Sequence, residues 1–166
     1  MQKCWATIAM AVILAGCSTS KTQAPIIKTG EGVTFQEGCS PEKVTAIITG
    51  FMDALNKGDM DRVLRHFGKG FVWYSAPVGP AAERKTEAIY NVSELEAYFK
   101  TRIAQKERMQ LQTLNINSGR VDFGMYLHRT ANDLGWGAGD IVGKGMLDCR
   151  QGTISVWSLG GEAPKD

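Results

Sequence analysis

The 166-residue chain has 19 basic and 17 acidic residues and a formal net charge of +2, and 43% of its residues are hydrophobic. This balance, with no basic run interleaved with aromatic residues, argues against nucleic acid as a partner. Once the leader described below is set aside, about 150 residues remain, a length that suits one domain around a single core.

The N-terminus has the layout of a bacterial lipoprotein signal peptide. Lys3 precedes an apolar run from Trp5 to Leu14, and Leu14-Ala15-Gly16-Cys17 has the form of a lipobox. The run is shorter than the roughly 20 residues that a membrane-spanning helix needs. We expect residues 1–16 to be cleaved and Cys17 to carry a diacylglyceryl group and an acyl chain such as palmitate, which together anchor the protein on a membrane. The alternative is an ordinary secretory signal in which Cys17 has no role.

Residues 17–38 are rich in Ser, Thr, Lys, Gln and Gly and are predicted to form a flexible, lipidated tether. The folded domain is expected over residues 39–161, followed by a short tail, 162–166. The predicted location is the bacterial cell envelope. Ser18, rather than aspartate, after Cys17 fits the outer membrane if the source is Gram-negative; otherwise the anchor lies in the cell membrane.

The four cysteines have separate expected fates. Cys4 leaves with the leader and Cys17 is the lipidation site, so that Cys39 and Cys149 remain in an exported domain, where a disulfide is stable. We predict that these two cysteines pair, the alternative being two separately buried thiols. No spacing of cysteine or histidine indicates a metal site, and no cofactor is expected.

The first half of the domain is predicted to be mostly helical. Ser40-Pro41-Glu42 is a helix start, and Gly58 ends that helix. Asp59 can cap a second, shorter helix. Phe71–Ala76 is predicted to be a strand that Pro77 ends. The pattern of residues 77–90 indicates a loop with one short strand around Thr86–Tyr90. A capping box from Ser93 to Glu96 opens a third helix.

From Arg108 the apolar pattern changes to a period of two, which predicts four strands joined as a meander. The turns Ser118-Gly119 and Gln151-Gly152 are expected to close two hairpins. Helices against one face of a bent antiparallel sheet make an α+β domain. The four strands are predicted near Arg108–Asn117, Arg120–Asn132, Asp140–Arg150 and Thr153–Leu159.

The run from Phe51 to Asp59, followed by a helix ending in His66-Phe67 and an aromatic strand, resembles the opening of nuclear transport factor 2-like proteins. That superfamily includes the SnoaL-like polyketide cyclases and ketosteroid isomerase. The resemblance covers nearly the whole domain and implies a cone-shaped α+β (cystatin-like) fold, with three helices on a curved antiparallel sheet and a pocket between them. Fold alone does not give function.

The catalytic residues of ketosteroid isomerase do not carry over to this chain. The tyrosine that donates to the oxyanion is replaced by Phe51, and the aspartate base before the Pro-Val-Gly triplet is replaced by Ala76. A phenyl ring cannot stabilise an enolate and a methyl group cannot take a proton. We therefore predict no catalytic residues. The alternative is a SnoaL-like hydrolase, isomerase or cyclase that uses other acids, such as Asp122, Asp140 or Asp148.

Two-residue turns would place several residues of the last four strands on the helix-covered side of the sheet. With Phe51 they form the predicted pocket for a small apolar ligand, with two amides as polar anchors. Gly143 and Gly145 share this side and leave room either for a ligand or for a close approach of a helix. The predicted ligand-binding residues are Phe51, Gln110, Gln112, Phe123 and Met125.

The opposite, helix-free face of the sheet is predicted to carry Met146 beside Trp157. A large indole on an uncovered face suggests an interaction surface, here a homodimer contact. The leading hypothesis is therefore a lipid-anchored envelope protein whose domain binds a small ligand or a protein partner without performing chemistry. The enzyme is the alternative.

Overall fold

The computed structural model describes residues 24–30, 37–75, 87–116, 122–132 and 139–162. The leader, Cys17, Ala76 and the turn Ser118-Gly119 lie outside these ranges. The helices are α1 (Pro41–Lys57), α2 (Met60–Arg65) and α3 (Val92–Ala104). None of the described helices is long and apolar enough to cross a membrane. The strands are β1 (Ile26–Thr29), β2 (Phe67–Ser75), β3 (Glu87–Ile89), β4 (Arg108–Ile116), β5 (Phe123–Thr130), β6 (Gly139–Asp148) and β7 (Thr153–Glu162).

The strands form one curved, open sheet in the order β1-β4-β5-β6-β7-β2-β3, and the predicted α+β fold is confirmed. The sheet is mixed rather than wholly antiparallel, because β1 runs parallel to β4 and β2 runs parallel to β7. Within the predicted tether, Ile26–Thr29 is a strand paired with Thr113–Ile116, so the expectation of a flexible coil is wrong for these four residues.

The helix ends follow local capping signals. Ser40 accepts a hydrogen bond from the Lys43 amide at the start of α1, and Gly58 ends the helix with a φ of 72°, a conformation that glycine adopts without strain. The cap of α3 is Asn91, whose side chain accepts from the Glu94 amide, and not the predicted Ser93. Both residue types are good caps, and the structure selects the one two positions earlier.

The predicted disulfide is confirmed. Cys39, just before α1, is bonded to Cys149 at the end of β6, with a Cα–Cα distance of 5.1 Å. It closes a loop across a sequence separation of 110 residues. The bridge fastens the start of α1 to the β6–β7 turn, where Cys149 is buried.

A β-bulge in β4 overturns the predicted orientation of the two glutamines. The pairing with β5 runs from Ile116 to Thr113 and then resumes one residue out of step at Leu111, which leaves Gln112 unpaired. An extra residue inverts the alternation of faces beyond it. Leu111 and Met109 therefore point into the core, and Gln110 and Gln112 are exposed instead of sharing a face with Phe123.

A second irregularity, between β6 and β7, overturns the predicted position of Trp157. Leu147 pairs with Ile154, but Met146 pairs with Val156 and Gly145 with Trp157. The extra residue in β7 turns Trp157 to the helix-covered side, where it is fully buried. The prediction that Trp157 lies on the exposed face is therefore wrong. Met146 is on that face and is 38% exposed, and its role in a homodimer stays a prediction.

Candidate functional site

The interior of the cone, where the sequence predicted a pocket, is filled with aromatic side chains around Phe51. The ring of Phe51 has five ring neighbours at centroid distances from 4.8 Å to 6.2 Å. All five pack edge-on, with interplanar angles from 60° to 87°. Edge-to-face packing of this kind adds to the stabilisation from apolar burial. The five neighbours are His66, Phe67, Trp73, Phe99 and Trp157.

The glycines of β6 make room for neighbouring side chains. A Cβ on Gly145 would lie 2.5 Å from the ring of Phe123, and a Cβ on Gly143 would lie 2.4 Å from the terminal methyl of Met125. Cβ atoms essentially never lie this close to another atom, so a side chain at either position would force the Phe123 ring or the Met125 methyl to move. The structure thus places Phe51, Phe123 and Met125 in the packed core, at 2% exposure or less.

An open groove lies between α1 and the first half of β4, with a volume of about 420 Å³. Its floor is apolar, made by Met52, Met109 and Leu111, and polar side chains surround it. Of the predicted ligand-binding residues, Gln110 lines this groove. The residues that line it are Pro25, Thr49, Met52, Asp53, Asn56, Arg108, Met109, Gln110, Leu111, His128 and Thr130.

Asn56 holds the two walls of the groove together. Its side-chain nitrogen donates to the Met109 carbonyl oxygen at 2.8 Å, and its side-chain oxygen accepts from the Met109 amide at 2.9 Å. A side-chain amide thereby makes the two bonds that a neighbouring strand would make to this backbone unit. The contact fixes α1 against the strand and defines the width of the groove.

The acidic wall of the groove is neutralised. Asp53 accepts from Lys57 at 3.0 Å and from Arg62 at 2.8 Å. The hydrogen bond from Lys57 is the main reason that the pKa of Asp53 lies below its ordinary value, and Arg62 adds to the effect. Asp53 is therefore a carboxylate already paired with a lysine of α1 and an arginine of α2, and it is poorly placed to act as a base.

A histidine at the groove has an ordered partner. The Nδ1 atom of His128 lies 2.7 Å from Asp140 Oδ1, and Gln112 donates to the same oxygen at 3.1 Å. The two side chains meet because His128 and Asp140 are register partners in the β5–β6 ladder. Since Asp140 occupies Nδ1, the other ring nitrogen, Nε2, is the one left for a molecule in the groove.

A buried ionic cluster lies where β4 begins. Glu107 accepts from Arg129 Nε at 2.9 Å and from Arg129 Nη2 at 3.0 Å, and it also accepts from Arg102. All three side chains are at most 5% exposed. Buried charges of this kind are retained only when they are paired and hydrogen-bonded. The cluster ties the end of α3 to β4 and β5.

The acids proposed for the enzyme alternative occupy different positions. Asp122 accepts from the Leu147 amide at 2.7 Å and so joins the start of β5 to β6, and Asp148 accepts from the Gln151 amide at 3.0 Å in the β6–β7 turn. Asp140 alone among them contacts a histidine. In the described ranges there is no group of three or more His, Cys, Asp or Glu side chains that could hold a metal ion.

Sequence reasoning did not identify His128, Asn56 or the Arg102–Glu107–Arg129 cluster. The pairing of His128 with Asp140 depends on the length of the β5–β6 connection, which carries no tight-turn signal. Asn56 sits on a helix with no local feature that reveals a partner 53 residues away. Arg129 is inward-facing within an apolar alternation at Phe123, Met125 and Leu127, and that alternation is the one usable signal.

Neither a family model nor a curated protein matches the sequence, but the fold is similar to those of solved structures. A cystatin-like protein of unknown function from Methylobium petroleophilum PM1 is similar at 14% identity and a TM-score of 0.59, covering 76% of this chain and 80% of that one. An NTF2-like protein of unknown function from Cytophaga hutchinsonii has 12% identity and a TM-score of 0.51, covering 70% and 87%.

A third similar structure is RV0760c from Mycobacterium tuberculosis, described in complex with estradiol-17β-hemisuccinate. It has 12% identity and a TM-score of 0.58, covering 72% of this chain and 94% of that one. At such identities the likeness concerns the backbone and carries no side-chain role across. The chain therefore has the NTF2-like, or cystatin-like, α+β fold that its sequence resembles.

Proposed function

We propose that the protein is a lipid-anchored envelope protein whose NTF2-like domain binds a small, largely apolar molecule in the α1–β4 groove and performs no chemistry on it. The observation that carries this proposal is the groove itself. Its apolar floor and polar rim match the usual composition of a small-molecule site, and its 420 Å³ lies within the usual range of about 300 to 1,000 Å³.

The rim of the groove supplies directional contacts for a polar end of the ligand. Gln110 and His128 flank the floor, and the hydrogen bond from Gln112 to Asp140 holds the carboxylate that orients His128. The side chains of Gln110 and His128 offer donors and acceptors that suit a hydroxyl or carbonyl group. The ligand class is therefore an apolar molecule with one such group at its end.

Two positions that ketosteroid isomerase needs for catalysis support a role without catalysis. Phe51 has no hydroxyl and its ring is wholly buried among other rings, and Ala76 stands in place of the base. Neither a phenyl ring nor a methyl group can move a proton or stabilise an oxyanion. A binding role requires neither step.

Binding is tested by filling the groove. Thr49 lines it from α1, and its hydroxyl donates to the Thr45 carbonyl oxygen. Thr49→Trp would occupy the groove, whereas Thr101→Trp is the matched control, because Thr101 makes the same bond to the Ala97 carbonyl on the exposed side of α3. The full chain carrying Cys17→Ser is titrated with the neutral fluorescent probe Nile red and with estradiol as competitor.

We expect Thr49→Trp to weaken probe binding at least about tenfold, which corresponds to 1.4 kcal/mol. Thr101→Trp should leave the affinity unchanged within about twofold. Binding that is unaffected by Thr49→Trp, or a chain that binds neither compound, would contradict the proposal.

The anchor has its own test. The lipobox motif Leu14-Ala15-Gly16-Cys17 supports lipidation at Cys17. In a bacterial host supplied with an alkyne-labelled palmitate analogue, the wild-type protein should carry label and sediment with membranes. Cys17→Ser should lose the label. A wild-type protein that is exported without label would show that the leader is an ordinary secretory signal.

The second candidate is an enzyme of SnoaL-like type, and one observation favours it. The contact of His128 with Asp140 at 2.7 Å is the arrangement that orients a histidine as a general base, and His128 lines the groove. A panel of ester and epoxide substrates would be tested with the wild type, His128→Gln and Asp140→Asn. Turnover that both variants abolish would establish the enzyme, and no turnover by the wild type would exclude it for these substrates.

A further inference from the structure

A second depression lies on the outer, helix-free face of the sheet, over β2, β6 and β7. Its volume is about 490 Å³. Trp73 in β2 and Leu159 in β7 are buried in the core. Successive side chains of a strand point to opposite faces, so the adjacent residues Tyr74 and Ser158 lie on the outer face. The depression is lined by Tyr74, Val142, Gly143, Lys144, Ser158, Leu159 and Gly160.

Three hydrogen-bond donors cross this depression in a single row. Tyr74 is the register partner of Ser158 in the β2–β7 ladder, and Ser158 is the partner of Lys144 in the β6–β7 ladder. Directly opposed residues of an antiparallel pair have Cβ atoms about 4.5 to 5.5 Å apart, so Lys144 stands beside Ser158, and Tyr74 continues the row across the parallel β7–β2 pair. Such a row matches the two oxygens of a carboxylate.

Lys144 is an available charge at the end of the row. It makes no ion pair with any side chain of the described part of the chain, and its neighbours across the strands are Ser158 and Gly124. A cationic group beside an apolar depression attracts an anion with an apolar body. Gly160 contributes no side chain, and Val142 provides an apolar wall.

Tyr90 holds Tyr74 in position. Their rings meet edge to face with centroids 6.5 Å apart. The hydrogen bond with Tyr74 is the main cause that raises the pKa of Tyr90. Tyr90 is therefore a positioning residue.

We propose that this outer depression is a binding site for a small amphiphilic carboxylate, separate from the α1–β4 groove. The carboxylate lies along the row formed by Lys144, Ser158 and Tyr74, and the apolar chain of the ligand lies against Val142 and the strand backbone at Gly160. The site depends on a charge and on a row of donors across three strands, and it does not rest on the function proposed for the groove.

The test compares octanoate with octanamide, a neutral molecule of the same length, by amide chemical-shift titration of the isotope-labelled full chain carrying Cys17→Ser. Octanoate should shift the amides of Val142, Lys144 and Gly160, and octanamide should bind more weakly. Lys144→Met keeps the length of the side chain and removes its charge. An exposed ion pair of this kind is worth up to about 1 kcal/mol, so we expect a threefold to fivefold loss of octanoate affinity.

Lys28→Met is the matched control, because Lys28 is an exposed lysine on β1, at the far edge of the same sheet. It should leave octanoate affinity unchanged, as should Thr49→Trp in the groove, so the two sites are tested independently. Tyr74→Phe should weaken octanoate binding without changing the fold. Equal affinity for octanoate and octanamide, shifts confined to the groove, or an outer face silent to octanoate because it is covered in a dimer would each overturn the proposal.

Discussion

Helix α1 faces two different environments, and the comparison between them explains where open space lies in the fold. One stripe of the helix, at Val44, Ile48, Phe51 and Leu55, faces the cone interior and is completely buried. The adjacent stripe, at Thr49, Met52, Asp53 and Asn56, faces the groove. Both stripes follow the spacing of a helix surface. One meets a packed core and the other meets an opening.

The difference comes from what the sheet offers opposite each stripe. Opposite the interior stripe, strands β2 and β7 present large rings, and glycines on β6 let Phe123 and Met125 approach closely. Opposite the groove stripe lies the first half of β4, whose described pairing with β1 covers only Thr113–Ile116. A sheet edge that ends short of the helix leaves a space that side chains only partly fill. Open space therefore lies at the sheet margin.

The interior stripe should be the more sensitive to truncation. Phe51→Ala removes a ring from the centre of five others, and we expect a loss of about 3 to 5 kcal/mol in the free energy of unfolding. Thr49→Ala, in the groove stripe, should change it by no more than about 0.5 kcal/mol. Urea unfolding followed by tryptophan fluorescence measures both. A cost below about 1 kcal/mol for Phe51→Ala would show that the interior is not packed.

Loss of the disulfide should have the next largest effect, because the bond holds the N-terminus of α1 against the β6–β7 turn. Replacing Cys39 and Cys149 together by alanine opens a loop of 110 residues, with an expected loss of about 2 to 5 kcal/mol. Wild-type protein unfolded in the presence of a reductant should match the double variant. A reductant that leaves the urea midpoint of the wild type unchanged would contradict a bond between these cysteines.

At the groove, Asn56→Ala should loosen the contact between α1 and β4. Two hydrogen bonds to Met109 are lost, and the exposed side of the groove lets water replace them, so we expect about 1 to 2 kcal/mol. Hydrogen exchange of the Met109 amide should accelerate. Gln110→Ala is the control, because Gln110 is an exposed amide on the same strand and should have little effect. Unchanged protection at Met109 would show that Asn56 does not hold the groove.

The smallest effect should appear with pH at His66, on the rim of the interior. Burial is the main cause that lowers the pKa of His66 below its ordinary 6.5, Arg62 and Arg65 lower it further, and a hydrogen bond with the Gly50 backbone opposes them. The unfolded chain then binds the proton more readily than the folded one, so stability should fall as pH decreases through about 6.5. Unfolding at pH 8 and pH 5 should show a smaller loss for His66→Asn than for the wild type. An equal loss would exclude His66 as the cause.

Local signals predicted the elements well. The first helix was expected from the cap at Ser40 to Gly58 and runs over Pro41–Lys57. The short strand expected near Thr86–Tyr90 is β3, Glu87–Ile89. The pairing of Cys39 with Cys149 followed from the count of cysteines that remain once Cys4 and the predicted lipidation site Cys17 are set aside. These predictions succeeded because caps, glycine stops and residue counts act within a few residues or need no geometry.

The site was predicted only in part. Gln110 lines the groove, but on the side of β4 opposite to the expected one, and its role in binding stays a prediction. Phe51, Phe123 and Met125 are core residues, and His128 was identified only by its contact with Asp140. Each difference concerns the surroundings of a side chain, either the face on which it lies or the space that it fills. Both depend on contacts with strands that are distant in sequence.

The amino-acid sequence by itself determined the helices, the number of strands in the meander, the disulfide partners and the absence of the isomerase residues at Phe51 and Ala76. Only the tertiary structure decided which face each strand residue occupies. Single extra residues at Gln112 in β4 and in β7 before Trp157 invert the alternation of faces. A bulge costs little and has no local signature, because the pairing with the neighbouring strand and the packing of the core select its position. The same packing filled the cone with rings and left the open groove at the margin of the sheet.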